Sequence, residues 1–265
     1  MRIAHLVLYT EENAHEQAMQ QMQRTLYDNL KDVQTVYYTY SYHVRTITYD
    51  ATERILRIPG HESFIPGILR KTWTAFEWAQ ENMWPFDILV RSNTSTLLNF
   101  PLLQTALTET PIQYAGMHVF RLSWFCPRSG VHDTTYHGTP FVSGFCIMWN
   151  AATFTRMMRE GMQHLDYTLI DDVALGVMMQ RLRVPVPISF SAQLYIYDTA
   201  GHHPTSIWPP NALHSLDTRS EFQEQELAAH GSTKLAFRHH TFANRTLDVK
   251  LMAMTLRYLL PWTRQ

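Results

Sequence analysis

The chain has 265 residues, of which 45% are hydrophobic and 17% charged, with a formal net charge of -1. That length and balance exclude a disordered or fibrous chain and leave ample core for one large α/β domain or two small ones. Near-zero charge gives no reason to expect nucleic acid or an anionic membrane as a partner. Cys126 and Cys146 are too few for a disulfide framework or a zinc site of their own, and they read as reduced structural thiols.

IAHLVLY at 3–9 predicts a first strand. It lacks the basic region and cleavage site of a secretory signal and is too short to span a bilayer. No other stretch is long and apolar enough for a span, so the expectation is a soluble, cytoplasmic protein with no membrane span. A helix is predicted over 13–30, with Met19, Met22 and Leu26 on one face, and β-branched and aromatic residues predict strands at 33–42 and 54–58. Pro66 suits the first turn of a helix that Leu69, Trp73 and Phe76 anchor until Trp84 and Pro85.

FDILV at 86–90 is the clearest buried strand, and it runs straight into RSNTST at 91–96. Polar groups at a strand's carboxyl end mark the place where open α/β sheets bind ligands. The connection from Gly116 to Thr139 carries His118, Trp124, His132, Asp133, Tyr136 and His137, too polar and aromatic for an inert linker, and is assigned substrate-contacting loops. FVSGFCIMW at 141–149 predicts one buried strand bent at Ser143 and Gly144, after which Asn150 caps a helix. A helix over 170–182 opens with Asp171 and Asp172, a strand follows at VPVPISF, the chain reads as irregular to about 235, and a last helix spans 245–260. No repeat or Ser/Gly linker interrupts the chain. The order of elements is that of a Rossmann-like mixed α/β sheet.

Two carboxylates at a helix start complement its dipole, which is reason enough for Asp171 and Asp172. Their neighbours point further. Lys71 and Thr72 precede the strand that ends in Arg91, Ser92, Asn93, Thr94 and Ser95; Gly144, Phe145, Cys146 and Ile147 follow; then come Asp171, Asp172, Val173 and Gly176. In this order the segments resemble the inverting glycosyltransferases of the fringe and β-1,3-galactosyltransferase type, with the GT-A fold. HESFIPGILRKT, RSNTST, IDDVALG and the late Phe237, Arg238, Arg245 and Asp248 resemble glycosyltransferase-like proteins of large DNA viruses across nearly the whole chain.

The resemblance implies transfer of a sugar from a nucleoside-diphosphate sugar, UDP- or GDP-linked, to a hydroxyl of a glycan or glycoprotein. It implies one GT-A-like domain over 1–265: about 1–110 binding the donor, about 111–235 the acceptor and catalytic half, and 236–265 a closing segment. It makes Asp172 the base and Asp171 its orienting or capping partner. Lys71, Arg91, Ser92, Asn93, Ser95, Arg238, Arg245, His61 and Glu62 become donor contacts, and Ser143, Gly144, Trp124 and Asp133 acceptor contacts. The viral resemblance extends the cytoplasmic expectation to an infected host cell. Each assignment has a plainer counterpart: an ion pair for Arg91 with a carboxylate such as Asp172, a solvated helix face for Lys71, and a salt bridge with Asp248 for Arg245.

The family's Asp-x-Asp carboxylates hold a divalent cation on the donor diphosphate. Asn93 and Ser95 stand in their place, and neutral oxygens are weak ligands for Mg2+ or Mn2+. A metal-independent enzyme is expected, with Mn2+ or Mg2+ left open. His239 and His240 are weak metal candidates, and the pair His202 and His203 and the cluster of His132, Asp133 and His137 read more simply as surface residues. No Gly-rich loop follows the first strand, which counts against a nucleotidyltransferase. The missing acids are also what a non-catalytic glycan- or nucleotide-binding protein on the same fold would carry.

Overall fold

A computed structural model describes residues 1–197, 227, 231–240 and 245–263. The described chain falls into two compact units. The first comprises Met1–Glu11, Asp32–Asn93 and Ile112–Phe190; the second comprises Glu12–Lys31, Thr94–Pro111 and the described residues of Ser191–Gln265.

The first unit is built on an eight-stranded mixed sheet. Its strands are β1 (Ile3–Leu8), β2 (Val33–Ser41), β3 (Thr48–Asp50), β4 (Ile55–Pro59), β5 (Ile88–Asn93), β7 (Tyr114–Gly116), β10 (Cys146–Asn150) and β11 (Ile188–Ser189), in the order β11-β7-β10-β5-β1-β2-β4-β3. Strands β4, β2, β1 and β5 run parallel, so their carboxyl ends share one edge. Strand β10 is antiparallel to β5, so its first residue, Cys146, lies opposite Ser92 at that same edge. Helices α2 (Gly67–Asn82), α4 (Ala151–Glu160) and α5 (Asp171–Arg181) pack on this unit. Leu69, Trp73, Phe76 and Ala79 of α2 join Leu6, Tyr38, Leu89, Trp149 and Phe154 in its core. Burying the larger of these side chains, such as Leu69 and Phe76, stabilises the unit by roughly 1.5–3 kcal/mol each.

The second unit contains α1 (Ala14–Tyr27), α3 (Phe100–Glu109), α6 (Arg245–Leu259) and a three-stranded sheet of β12 (Leu194–Tyr197), β13 (Ala236–His239) and β6 (Thr96–Leu98). Asn13 caps α1 by accepting from the amides of His15 and Glu16. Helices α1 and α6 pack together. Leu247, Leu251 and Leu259 of α6 are buried as its periodicity predicts, but Met252 and Thr255 fill the places between them while Met254 is only half-buried.

Several sequence expectations are corrected. The strand predicted at 86–90 runs from Ile88 to Asn93, so Arg91, Ser92 and Asn93 belong to the strand, held there by pairing with β1 and β10. The single strand predicted over 141–149 is two. Its first half is β9 (Pro140–Val142), which pairs with β8 (Val119–Arg121) in a small separate sheet, and its second half is β10. VPVPISF contributes only Ile188 and Ser189 to the sheet, because its prolines lack ladder donors. Strand β12 lies where the chain was read as irregular, and α3, capped by Asn99 with a proline in its first turn, was not expected at all. His202 and His203 lie outside the described residues. No helix among the described residues is long and apolar enough to cross a membrane.

Strand β9 is clamped against α5 at Gly176. A Cβ there would stand 2.4 Å from the Phe141 Cβ and 3.0 Å from both the Phe141 Cα and the Pro140 carbonyl oxygen. Backbone cannot yield as a flexible side chain does, so Gly176→Ala is expected to destabilise the protein by about 1–3 kcal/mol despite alanine's better helix propensity. A urea melt measures it; an unchanged or raised midpoint would mean that β9 and α5 separate freely.

Candidate active site

The edge formed by the carboxyl ends of β1, β2, β4 and β5 carries the chemistry-bearing groups of the first unit. Arg91, the fourth residue of β5, is 1% exposed, and its guanidinium is bound on all sides. Nε donates to the Tyr38 hydroxyl at 3.1 Å, Nη1 to the Gly144 carbonyl, and Nη2 to the Asp171 carboxylate at 2.5 Å. Burial alone would favour loss of the proton, but the Asp171 carboxylate and Tyr38 outweigh it and hold the pKa above its ordinary value. The Tyr38 hydroxyl also meets the Thr72 hydroxyl at 2.9 Å. Thus β2, α2, β5, the bend before β10 and the start of α5 are tied to one buried cation.

Gly144 sits close to both charged groups at that bend. A Cβ on it would stand 2.9 Å from Arg91 Nη1 and 3.5 Å from the Asp172 carboxylate. Its amide donates to Asp172 Oδ2 at 3.0 Å, while Asp172 Oδ1 accepts from the Val173 amide at 2.9 Å. The two aspartates are therefore unlike. Asp171 is buried against a cation; Asp172 is half-buried and keeps a side open to solvent. Burial first, and the neighbouring Asp171 carboxylate second, push Asp172 up to about 7, against the lowering pull of the Gly144 amide and Arg91. Such a carboxylate is poised to exchange protons near neutral pH.

The other expected donor contacts of this unit have partners of their own. Lys71 is 1% exposed, not on a solvated face; its ammonium donates to Glu62 at 2.5 Å and 2.7 Å and to the Tyr9 carbonyl at 3.0 Å. Glu62 also accepts from the Tyr40 amide at 3.2 Å, joining the ends of β1 and β2 through one ion pair. His61 is exposed, its ring stacked on Tyr42 at 5.9 Å. Ser92 is buried and meets His5 Nε2 at 2.8 Å; burial brings His5 down to about 3, which keeps it neutral.

Among the expected acceptor contacts, Ser143 and Gly144 form the bend, with the Ser143 amide on the His118 carbonyl at 2.9 Å. Trp124 is 41% exposed beside Phe120 and Phe141. Asp133 is exposed and occupied by a local turn, accepting from the Thr135 amide at 2.8 Å.

Ser95, Arg238, Arg245, His239 and His240 lie in the second unit. Arg238 donates through Nη1 to the Ser95 hydroxyl and, at 3.3 Å, to Thr96. Arg245 pairs with Asp248 at 3.0 Å, the structural salt bridge read from the sequence, and lies 3.9 Å from Glu16. His239 is buried with Nε2 at 2.9 Å from the Thr255 hydroxyl, and burial followed by the Arg238 charge brings it down to about 3; His240 is lowered to about 3 by burial and by Arg238 and Arg245.

A divalent cation does not fit the residues at the Asp-x-Asp positions. Asn93 offers at best a neutral amide oxygen, and the Ser95 hydroxyl already accepts from a guanidinium, whose charge repels a second cation. Among the described residues, no three His, Cys, Asp or Glu side chains converge as a metal site.

The sequence reading missed Tyr38, Phe120 and Phe141. Tyr38 shares a strand face with Tyr40 and Val36 and looks like core; only its hydroxyl, aimed at Arg91, distinguishes it. Phe120 and Phe141 are directly opposed across β8 and β9, a pairing hidden by the merging of β9 with β10.

No protein-family model matches this chain, and no curated protein does. Among solved structures it is similar to the crystal structure of a glycosyltransferase involved in the glycosylation of the major capsid of PBCV-1. The two are 9% identical with a TM-score of 0.47, over 96% of this chain and 100% of that one.

Proposed function

We propose that the protein is an inverting glycosyltransferase that moves a sugar from a nucleoside-diphosphate sugar to a hydroxyl of a glycan or glycoprotein, with Asp172 as the base. The observation that carries this reading is the pair of unlike aspartates. Asp171 is held as the partner of a buried arginine, and beside it Asp172 is half-open, fixed by the Gly144 amide and raised to about 7.

In the step proposed, the acceptor hydroxyl attacks the anomeric carbon as Asp172 takes its proton. The bond from that carbon to the diphosphate oxygen breaks, and the electron pair leaves with the nucleoside diphosphate. Gly144 and Val173 amides orient the carboxylate, leaving a lone pair for the incoming proton. Arg91 and Lys71 act as positioning residues, since their charges are neutralised by Asp171 and Glu62. Charge on the leaving diphosphate falls to other groups.

The test is a panel of UDP- and GDP-sugars with glycan acceptors, with and without EDTA, read as nucleoside diphosphate release and transferred sugar. Turnover that persists under chelation is expected. Binding of a nucleotide without turnover of any donor would replace this reading by the non-catalytic binder.

A further inference from the structure

Phe120 and Phe141 are cross-strand partners in β8 and β9, and their rings stack with centroids 5.6 Å apart. Trp124 packs on both, 6.0 Å from Phe120 and 5.9 Å from Phe141, and still leaves 41% of its surface exposed. Phe125 beside it is 60% exposed. An open aromatic group of this size is not needed for the core, which the buried ring of Phe141 already completes.

Phe141 ties the group to the helix that carries the base. The segment from Phe141 to Gly144 lies along α5, with Phe141 against Gly176 and the Gly144 amide on Asp172. Gly176 follows Asp172 by four residues, so the two share a helix face about one turn, ~6 Å, apart. The backbone of Phe141 therefore lies about one helical turn from Asp172, and the Trp124 ring lies 5.9 Å from the Phe141 ring.

We infer that Trp124, backed by Phe120 and Phe141, is a stacking subsite for a pyranose ring of the acceptor. This rests on the transfer reading above for the word acceptor. The C–H face of a pyranose is apolar and weakly positive, and an indole face is apolar and negative, so the two stack while the sugar's hydroxyls remain in water. The acceptor is the substrate that belongs here, because the group whose proton Asp172 removes must lie against that carboxylate. A ring held on Trp124 directs its own or its neighbour's hydroxyl there.

The experiment uses the full chain and a panel of methyl hexopyranosides of glucose, galactose, mannose and N-acetylglucosamine in both anomers, observed by saturation-transfer NMR. Wild type and Asp172→Asn are expected to transfer saturation to the ring C–H protons of at least one glycoside. Trp124→Ala is expected to lose that signal, and Trp124→Phe to keep part of it. In a transfer assay, Trp124→Ala raises the acceptor KM by about tenfold or more, with the donor KM unchanged. No saturation with any glycoside, or a signal that survives in Trp124→Ala, overturns the subsite. Glycoside binding lost in Trp124→Ala, in a protein that turns over no donor, leaves the subsite standing and removes the transfer reading. Turnover with an acceptor KM unchanged in Trp124→Ala does the reverse.

Discussion

Asp172→Asn is expected to lower transfer by about 10²–10⁴-fold, the usual range for removal of a positioned base, and to leave donor binding in place. The amide keeps an oxygen for the Gly144 amide, so the bend is preserved while the proton acceptor is lost. In wild type the rate needs the ionised carboxylate, and Asp172 is pushed up to about 7. The rate should therefore fall about tenfold per pH unit below that point and level off above it. Asp171→Asn removes the second-largest upward push on Asp172 and should move the break to lower pH. A break that stays in place would exclude Asp172 as the titrating base.

The same group makes a prediction about stability that needs no substrate. A carboxyl raised in the folded state binds its proton more tightly there than in the unfolded chain. Its contribution to stability is fully present below the ordinary value of 3.8 and is lost as pH rises toward about 7. Asp172→Asn, which cannot ionise, should therefore melt higher than wild type at pH 8, by on the order of 1–3 kcal/mol after allowance for the open side of the site, and about equally at pH 3. Equal melting at both pH values would show that Asp172 carries no such strain.

Periodicity made the regular elements legible. The apolar faces of α2 and the runs of β1 and β2 are set by neighbours within a few residues, and the start of α5 announces itself with acids. The polar end of β5 is legible only in part. The sequence offers Arg91 an ion pair but does not single out its partner Asp171, 80 residues further along the chain, nor the His5 of β1 that meets Ser92. Lys71 reads as well on a solvated face because its partner Glu62 lies nine residues back in a loop, where no helical spacing links them. The break at Ser143 and Gly144 was legible as a bend but not as a change of sheet. That depends on which strand pairs with each side of it.

Arg91→Met is expected to destabilise the protein by about 3–5 kcal/mol, the cost of leaving a buried carboxylate without its cation. The substitution keeps much of the side chain's volume, so lost packing is a minor part. What it removes is the charge opposite Asp171 and the donors to Gly144 and Tyr38. Adding Asp171→Leu should recover most of the loss, because a buried pair replaced whole by apolar residues avoids desolvating both charges. The double variant separates stability from positioning. With the fold restored, Gly144 still lacks the guanidinium that fixed its carbonyl, and the amide on the other side of that bend is the one that orients Asp172. The double variant should therefore regain its urea midpoint without regaining transfer. If Arg91→Met loses less than about 1 kcal/mol, the cluster does not hold the site together. If the double variant recovers both midpoint and transfer, Arg91 serves the fold alone.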